Sequence, residues 1–390
     1  GRKALTLRAY VVTPGFEEAL VAELGASGAR VIVPGVVAVD GDDAIDDAIE
    51  GPIDDPTFAR QLLPAAADVT GTSVRALAEA AYAAVEGAVD RWPGAFAVHA
   101  FTPPAPPADD APTVLPGARA AHTRVRAARR TRGDAPSAKP RSLDGGLGSR
   151  VTLVERELLS LLGARRKRAS RRHQPSIAPA AFDARLLLVQ LLLVSRDRLI
   201  VSAAAPRPLP RGGFDLAPWP AGAPPVDDDR APPSRAYRKL EEAFQWMGAA
   251  PRTNETCVDL GAAPGSWTMM AARRGARVFA VDRAPLAPAA RQGAVTSVSG
   301  DAFAYAPPRP VDWLLSDIIC EPTRAIALVD EWLAAKRCRN LVVTIKFKGR
   351  GNYAVLATLA PIFDRVRPAF ARIKHLAHNK NEVTVMVRQR

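Results

Sequence analysis

Little in this 390-residue chain can hold a metal or a disulfide framework. It has three cysteines (Cys257, Cys320, Cys338), none in a C-x-x-C pair, and five histidines with no ligand spacing. A Cys/His zinc site and a secreted, cross-linked fold are thereby disfavoured, no metal site is expected, and a reducing cytoplasm fits. Long apolar runs are missing too. The longest, Leu186 to Val194, is too short to cross a bilayer and contains Gln190, so no membrane partner is expected. The first residues, Gly1-Arg-Lys-Ala, show no apolar signal core and do not open on methionine, so a start inside a longer reading frame is expected. Acid is the scarcer charge: 53 Lys and Arg face 40 Asp and Glu, a net +13. Such a balance suggests a polyanionic partner such as nucleic acid, the alternative being compositional drift towards Arg and Ala.

The most informative stretch is Cys257-Val-Asp-Leu-Gly-Ala-Ala-Pro-Gly-Ser-Trp267. An apolar run carrying Asp259 breaks into a glycine turn, and Trp267 to Arg274 reads as a helix. This is a strand, a tight loop and a helix N-terminus, where backbone N–H groups can meet an anionic ligand. Two common nucleotide loops are absent. The dinucleotide fingerprint G-x-G-x-x-G has Ala263 and Ser266 in its second and third glycine places, and the G-K-[ST] ending of a phosphate loop has no lysine here. D-x-G-x-x-P-G resembles instead the first motif of S-adenosylmethionine-dependent methyltransferases. That resemblance implies S-adenosyl-L-methionine as cofactor, held around Asp259, Gly261, Ala263, Pro264, Gly265, Ser266 and Trp267. Asp282 ends the next strand, 21 residues after Gly261, where an acid can accept from ribose hydroxyls. Asp301, in Gly300-Asp-Ala-Phe303, is placed to take an adenine amino group beside Phe303.

The rest of the chain supplies organisation. Leu5 to Val12 reads as a strand, followed by a helix capped by Thr13 with Pro14 at its first position. Val31 to Val39 reads as one or two strands round Pro34-Gly35. Ser73 to Arg91 reads as a helix, Ala95 to Phe101 as a strand, Val151 to Leu162 as a helix, and Leu186 to Ala203 as a hairpin. Thr102 to Pro116 holds six prolines in fifteen residues and cannot pack. Arg119 to Arg141 follows with eight basic residues, either a basic arm that touches RNA or a solvated insertion. Arg165, Arg166, Lys167, Arg168, Arg171 and Arg172 place six charges in eight residues, more than a helix C-terminus requires. Pro206 to Pro233 is the best domain boundary. Beyond it, strands and helices alternate to the end, with strands at 257–260, 277–281, 295–298, 311–315, 340–347 and 382–387 and helices that include 353–363. That argues for a doubly wound sheet.

The acceptor side narrows the chemistry. Amino-group methylation uses a [DN]-P-P-[YF] loop after the fourth strand; this chain has Ser316-Asp-Ile-Ile319. Carbon-5 methylation needs a Pro-Cys nucleophile, and Cys320 lacks the proline and reads as packing. Lys346 ends an apolar strand, on the edge where Asp317 and, in an antiparallel final strand, Glu382 would gather. A lysine there can serve a hydroxyl nucleophile if burial and neighbours tune it.

With Lys239-Leu-Glu-Glu-Ala-Phe244, Asp317, Thr344-Ile-Lys-Phe-Lys348 and Asn381-Glu-Val-Thr-Val385 in place, residues 234–390 resemble the FtsJ class of RNA ribose 2′-O-methyltransferases. That resemblance implies a Lys-Asp-Lys-Glu catalytic tetrad: Lys239, Asp317, Lys346 and Glu382, with Asp317 also against the cofactor. Pro14-Gly-Phe-Glu17, Phe58-Ala-Arg-Gln61 and Ala231-Pro-Pro-Ser-Arg235 extend the likeness to the branch that acts on a cytidine of large-subunit rRNA. It implies 23S rRNA or a ribosomal precursor particle as substrate, no obligate protein partner, and Ser234 and Arg235 near the RNA with the basic run. The expected fold is α/β: residues 1–72 ferredoxin-like, 73–205 a THUMP-like RNA-binding α+β domain with a Pro/Arg-rich insertion at about 102–150, and 206–233 a linker. Residues 234–390 are then a Rossmann-like methyltransferase domain with an antiparallel final strand. Ser266 departs from the usual second glycine. Two alternatives stand beside this reading: an rRNA base methyltransferase, and a silent RNA-binding protein that keeps the fold.

Overall fold

The computed structural model describes residues 7–40, 55–106, 146–164 and 182–390. Within them the chain builds two seven-stranded sheets. The first holds β1 (Leu7–Val12), β2 (Arg30–Val33), β3 (Val36–Asp40), β4 (Ala59–Thr70), β5 (Phe96–Phe101), β6 (Leu187–Leu193) and β7 (Arg198–Ala204), in the order β2-β3-β1-β4-β7-β6-β5. β4 joins it into one surface. Its first eight residues pair antiparallel with β1 and its last four with β7. The two front segments of the sequence reading therefore share a sheet. Helix α1 (Glu17–Leu24) lies by β3, and α2 (Val74–Arg91) packs on α3 (Leu147–Ala164). The Ser73 hydroxyl caps α2 by accepting from Ala76 N–H at 3.0 Å. Leu77, Ala78, Ala81, Val85 and Val89 form its buried stripe, a helical spacing legible in the sequence.

Thr13 does not cap α1. Gly15 sits at φ +92°, outside helical geometry, so the helix starts only at Glu17. The Thr13 hydroxyl is buried and lies 3.1 Å from His375 Nδ1 instead.

Residues 206–233 form a packed strap. Pro208 bridges Phe214 around Gly212 and Gly213, both at positive φ. The Gln61 side chain then grips the strap, accepting from Ala217 N–H at 2.9 Å and donating to the Ala217 carbonyl at 3.0 Å. Trp219 meets Trp246 edge-on with ring centroids 5.3 Å apart. Gly222 packs so tightly that a Cβ would lie 1.9 Å from the Arg60 carbonyl oxygen.

The second sheet runs β10-β9-β8-β11-β12-β14-β13. Its parallel strands are β8 (Thr256–Leu260), β9 (Arg277–Asp282), β10 (Val295–Ser299), β11 (Val311–Ser316) and β12 (Cys338–Lys346). The last strand, β14 (Glu382–Arg388), lies antiparallel between β12 and β13 (Phe370–Lys374). Helices α4 (Tyr237–Met247), α5 (Ser266–Arg273), α6 (Pro322–Ala334) and α7 (Leu359–Val366) flank it. Strand order reverses between β8 and β11, the place where open α/β sheets bind ligands. The sequence pattern and the structure differ at two places in this sheet. Residues 353–363 are not one helix: Tyr353–Thr358 is a 3₁₀ turn that hands over to α7. The sequence pattern does not mark β13, because Arg372 and Lys374 interrupt its apolar run, yet both are buried.

Candidate active site

The loop after β8 and the ends of β9 and β11 enclose a cavity of about 500 Å³ at the strand-order reversal. Gly261 is at φ +75° with Ile318 where its Cβ would be, at 2.9 Å; Gly265 is at φ +108° with Ala290 at 2.4 Å. Both positions exclude side chains, which lets backbone line the pocket. Of the ten residues expected to hold a cofactor, Asp259, Gly261, Ala263, Pro264, Ser266, Trp267, Asp282, Asp301 and Asp317 all contribute to the lining of this cavity. Gly265 shapes the turn behind it.

Their side chains divide the work. Asp282 Oδ2 accepts from Ala263 N–H at 2.9 Å and Oδ1 from Ala284 N–H at 2.8 Å. Each oxygen keeps a lone pair for a ligand hydroxyl. Asp301 accepts from Phe303 N–H at 3.0 Å and pairs with Arg283 at 2.8 Å. That backbone bond, with Arg283 and Arg324 nearby, lowers its carboxyl from the usual value. Arg324 stacks over the Phe303 ring at 3.7 Å. Asp259 is buried, and burial pushes its carboxyl up to about 7 against a 2.6 Å bond from the Thr268 hydroxyl. Ser266 and Trp267 point back towards the protein. Ser266 Oγ accepts from Ser234 N–H at 2.8 Å, and Trp267 Nε1 donates to the Ala236 carbonyl at 2.9 Å. They bind the cavity loop to the turn that starts α4.

At the cavity's far wall, Lys239 on α4, Asp317 after β11, Lys346 at the end of β12 and Glu382 at the start of β14 meet. β12 and β14 are in register with Lys346 opposite Glu382. Lys239 Nζ donates to both Asp317 oxygens at 2.8 and 2.9 Å and to Glu382 Oε1 at 2.9 Å. Lys346 Nζ lies 3.0 Å from Asp317 Oδ1 and 3.6 Å from Glu382 Oε2. The two lysines differ in access. The Lys239 side chain is 9% exposed and that of Lys346 22%, and Lys346 alone of the pair lines the cavity. Burial disfavours charge on Asp317, but Lys239 and Lys346 beside it prevail and hold its carboxyl below the usual range. At Lys239 burial likewise works against the charge, and the two carboxylates outweigh it, raising its ammonium pKa.

Residues 232–379 match the FtsJ-like methyltransferase family. Over these residues the chain is similar to that family. Ribosomal RNA large subunit methyltransferase M of Pseudomonas syringae pv. syringae is 38% identical over 188 residues, 44% of this chain and 51% of the relative. The proteins of that name from Pseudomonas putida (36% over 215 residues; 50% and 59%) and Thauera aminoaromatica (35% over 180 residues; 43% and 50%) are similarly related. The chain thus spans about half the length of the curated relatives it matches. Among solved structures, a Burkholderia thailandensis 1,6-didemethyltoxoflavin-N1-methyltransferase overlaps 42% of this chain and 79% of its own at 20% identity. Its TM-score, 0.29, is too low to argue from.

Three supports of this site are not marked by the sequence pattern. Thr344 donates to Asp317 Oδ1 at 2.7 Å; it is two residues before Lys346 on one strand and so on the same face. Glu242, one helical turn beyond Lys239, is fully buried and accepts from Ala377 N–H at 2.8 Å, His378 N–H at 3.0 Å and His378 Nδ1 at 2.8 Å. These bonds hold the loop that leads to Glu382. His375 fastens the same loop. Its Nε2 faces the Lys380 carbonyl at 2.7 Å, an acceptor only, so Nε2 carries the proton and Nδ1 accepts from Thr13. Burial lowers the His375 pKa to about 4, which keeps the ring neutral. Cys320 is half-buried against the core. Arg165, Arg166, Lys167, Arg168, Arg171 and Arg172 lie outside the described residues, as does the 119–141 block; Arg235 is exposed on the turn before α4. Among the described residues, no group of His, Cys, Asp and Glu could hold a metal ion, and no helix is long and apolar enough to cross a membrane.

Proposed function

We propose that this protein transfers a methyl group from S-adenosyl-L-methionine to the ribose 2′-hydroxyl of a cytidine in 23S rRNA. The observation that carries the reading is Lys346: its Nζ is on the cavity wall, between Asp317 and Glu382, with N–H capacity left for a substrate hydroxyl. The side-chain-free cradle at Gly261 and Gly265 and the two acids Asp282 and Asp301 fit the methionine, ribose and adenine parts of the cofactor in turn. When bound, the cofactor supplies an electrophilic sulfonium methyl.

Lys346 would position the hydroxyl oxygen; as the new O–C bond forms, the methyl–sulfur bond would break to leave a neutral thioether, and the hydroxyl proton would pass by way of Lys346 to a carboxylate oxygen of Asp317 or Glu382. Lys239 is saturated by its two carboxylates, so it orients Asp317 and Glu382 and does not touch the substrate. Displacement at a methyl carbon requires oxygen, carbon and sulfur in line, and alignment supplies much of the acceleration. The relatives named for large-subunit rRNA methylation support the substrate class. The reading assigns RNA recognition to the front half, ferredoxin-like over 1–72 and THUMP-like over 73–205, with the 165–172 run, Ser234 and Arg235 contributing. Residues 206–233 join it to the methyltransferase domain at 234–390. Naked rRNA or a precursor particle in a reducing cytoplasm is the substrate this reading expects.

Labelled S-adenosylmethionine incubated with large-subunit rRNA from a strain lacking the protein tests it. Wild type should transfer label, and Lys346→Ala should lower kcat by about 10²–10⁴ with cofactor affinity kept. Undiminished transfer by Lys346→Ala would remove the assignment.

A further inference from the structure

A second and larger cavity, about 740 Å³, opens between α1 of the front half and the 3₁₀ turn Tyr353–Thr358 of the methyltransferase domain. Its floor is aromatic. Starting at Phe347, the residue after Lys346, the rings run Phe347–Tyr353 at 4.8 Å, Tyr353–Phe58 at 4.8 Å and Phe58–Phe16 at 5.9 Å between centroids. Tyr353 is partly exposed, and its hydroxyl donates to Asn381 Oδ1 at 2.7 Å, next to Glu382. The lip is basic and glycine-rich, Lys348-Gly-Arg-Gly351. Gly349 and Gly351 are at positive φ, and exposed Arg350 reaches across to lie 5.6 Å from the Phe16 ring centre. On the opposite wall the carboxylates of Glu17 and Glu23 are each engaged by two backbone amides, at 2.6 and 2.8 Å and at 2.6 and 3.1 Å.

We infer that this groove is a stacking subsite for an unpaired nucleobase flanking the methylated nucleotide. The inference rests on the RNA ribose methyltransferase reading and names a substrate contact within it. Single-stranded RNA is held by bases on aromatic faces and by Arg planes over them, with cations along the phosphates. Tyr353 offers the open face, with Phe16 and Phe58 buried behind it, and Arg350 stands at the edge as the plane and the cation; Lys348 beside it is exposed and pairs with Glu321. The ring row begins at the residue after Lys346, at the end of β12, so a strand that presents a 2′-hydroxyl at Lys346 can continue past that strand end towards Tyr353. The groove closes on one side with the front half, which gives both halves a part in setting register.

The test is binding of a 23S rRNA fragment bearing 2-aminopurine at one flanking position at a time. One position should lose fluorescence when wild-type protein binds. Ala22→Leu and Ala354→Leu, which fill the groove from opposite walls, should each abolish that quenching and raise KM for RNA about tenfold, leaving cofactor binding by calorimetry unchanged. Arg350→Ala should raise KM and reduce the salt slope by about one phosphate contact. Binding with no quenched position, or quenching and KM unchanged in both filled variants, overturns the subsite. Quenching without methyl transfer keeps the subsite and removes the catalytic reading; no binding of RNA removes both.

Discussion

Lys239 and Lys346 share the same two carboxylates, yet only one of them meets the cavity. Lys239 is 9% exposed and spends its N–H groups on Asp317 and Glu382, so its contribution is electrostatic placement. That role has a measurable consequence. With Lys239→Met, Asp317 keeps Lys346 as its only close cation and its carboxyl rises towards the ordinary range. The acidic limb of the pH profile of kcat/KM should therefore move to higher pH, and an unmoved limb would mean Asp317 does not need to be ionised. At this scale the sequence was informative where chemistry is tied to a strand end: Asp282, Asp301, Asp317 and Lys346 all stand at or just after carboxyl ends. It was silent on Thr344 and Glu242, because a threonine in an apolar strand and a glutamate in a Lys-Leu-Glu-Glu helix look alike whether buried or solvated. Burial decides their role, and burial depends on partners far along the chain.

The element that most depends on such partners is β13. Asp55, from the front half, accepts from Arg372 Nη2 at 2.6 Å and Nε at 2.8 Å, and Lys374 Nζ lies 2.5 Å away. Lys374 also donates to the Pro56 and Ala59 carbonyls at 2.7 and 2.9 Å. Burial alone would raise the Asp55 pKa; the two cations hold it at about 2, below the ordinary 3.8. A depressed acid stabilises the fold above its unfolded pKa, and that stability is lost as pH falls through the folded value. Wild-type stability should accordingly drop between about pH 4 and pH 2. Asp55→Asn, which leaves two buried cations short of a counter-charge, should cost about 3–5 kcal/mol at pH 7 in urea unfolding. The variant should also lack this group's share of the acid loss. Equal stability of the two proteins at pH 7 would contradict this role of the Asp55–Arg372–Lys374 contact. An Arg and a Lys in five residues hid β13 in the sequence, since the pattern shows their charge but not Asp55 more than 300 positions earlier. Helix α2 and the β6–β7 hairpin, whose signals are local, were legible.

For the molecule as a whole, alternation of strands and helices gave the second sheet its class, and Glu382 needed an antiparallel last strand to reach Lys346, which β14 supplies. The front half was less legible. Its twelve-residue β4 holds together segments that composition alone separates, and the proline-rich strap is packed rather than loose, with Gln61 and Trp219 fixing it. The consequence is that the loop leading to Glu382, from Lys374 onward, is fastened to the front half at Asp55, Thr13 and Thr57. A net +13 suits the polyanion that such an assembly would hold. The central claim is that the oxygen alkylated is a ribose hydroxyl. The most direct measurement is alkaline hydrolysis of 23S rRNA methylated in vitro by the purified protein. A 2′-O-methyl blocks cleavage at its own linkage, so the label should emerge in one alkali-resistant dinucleotide with cytidine on the 5′ side; label in mononucleotides would place the methyl on a base and contradict the account.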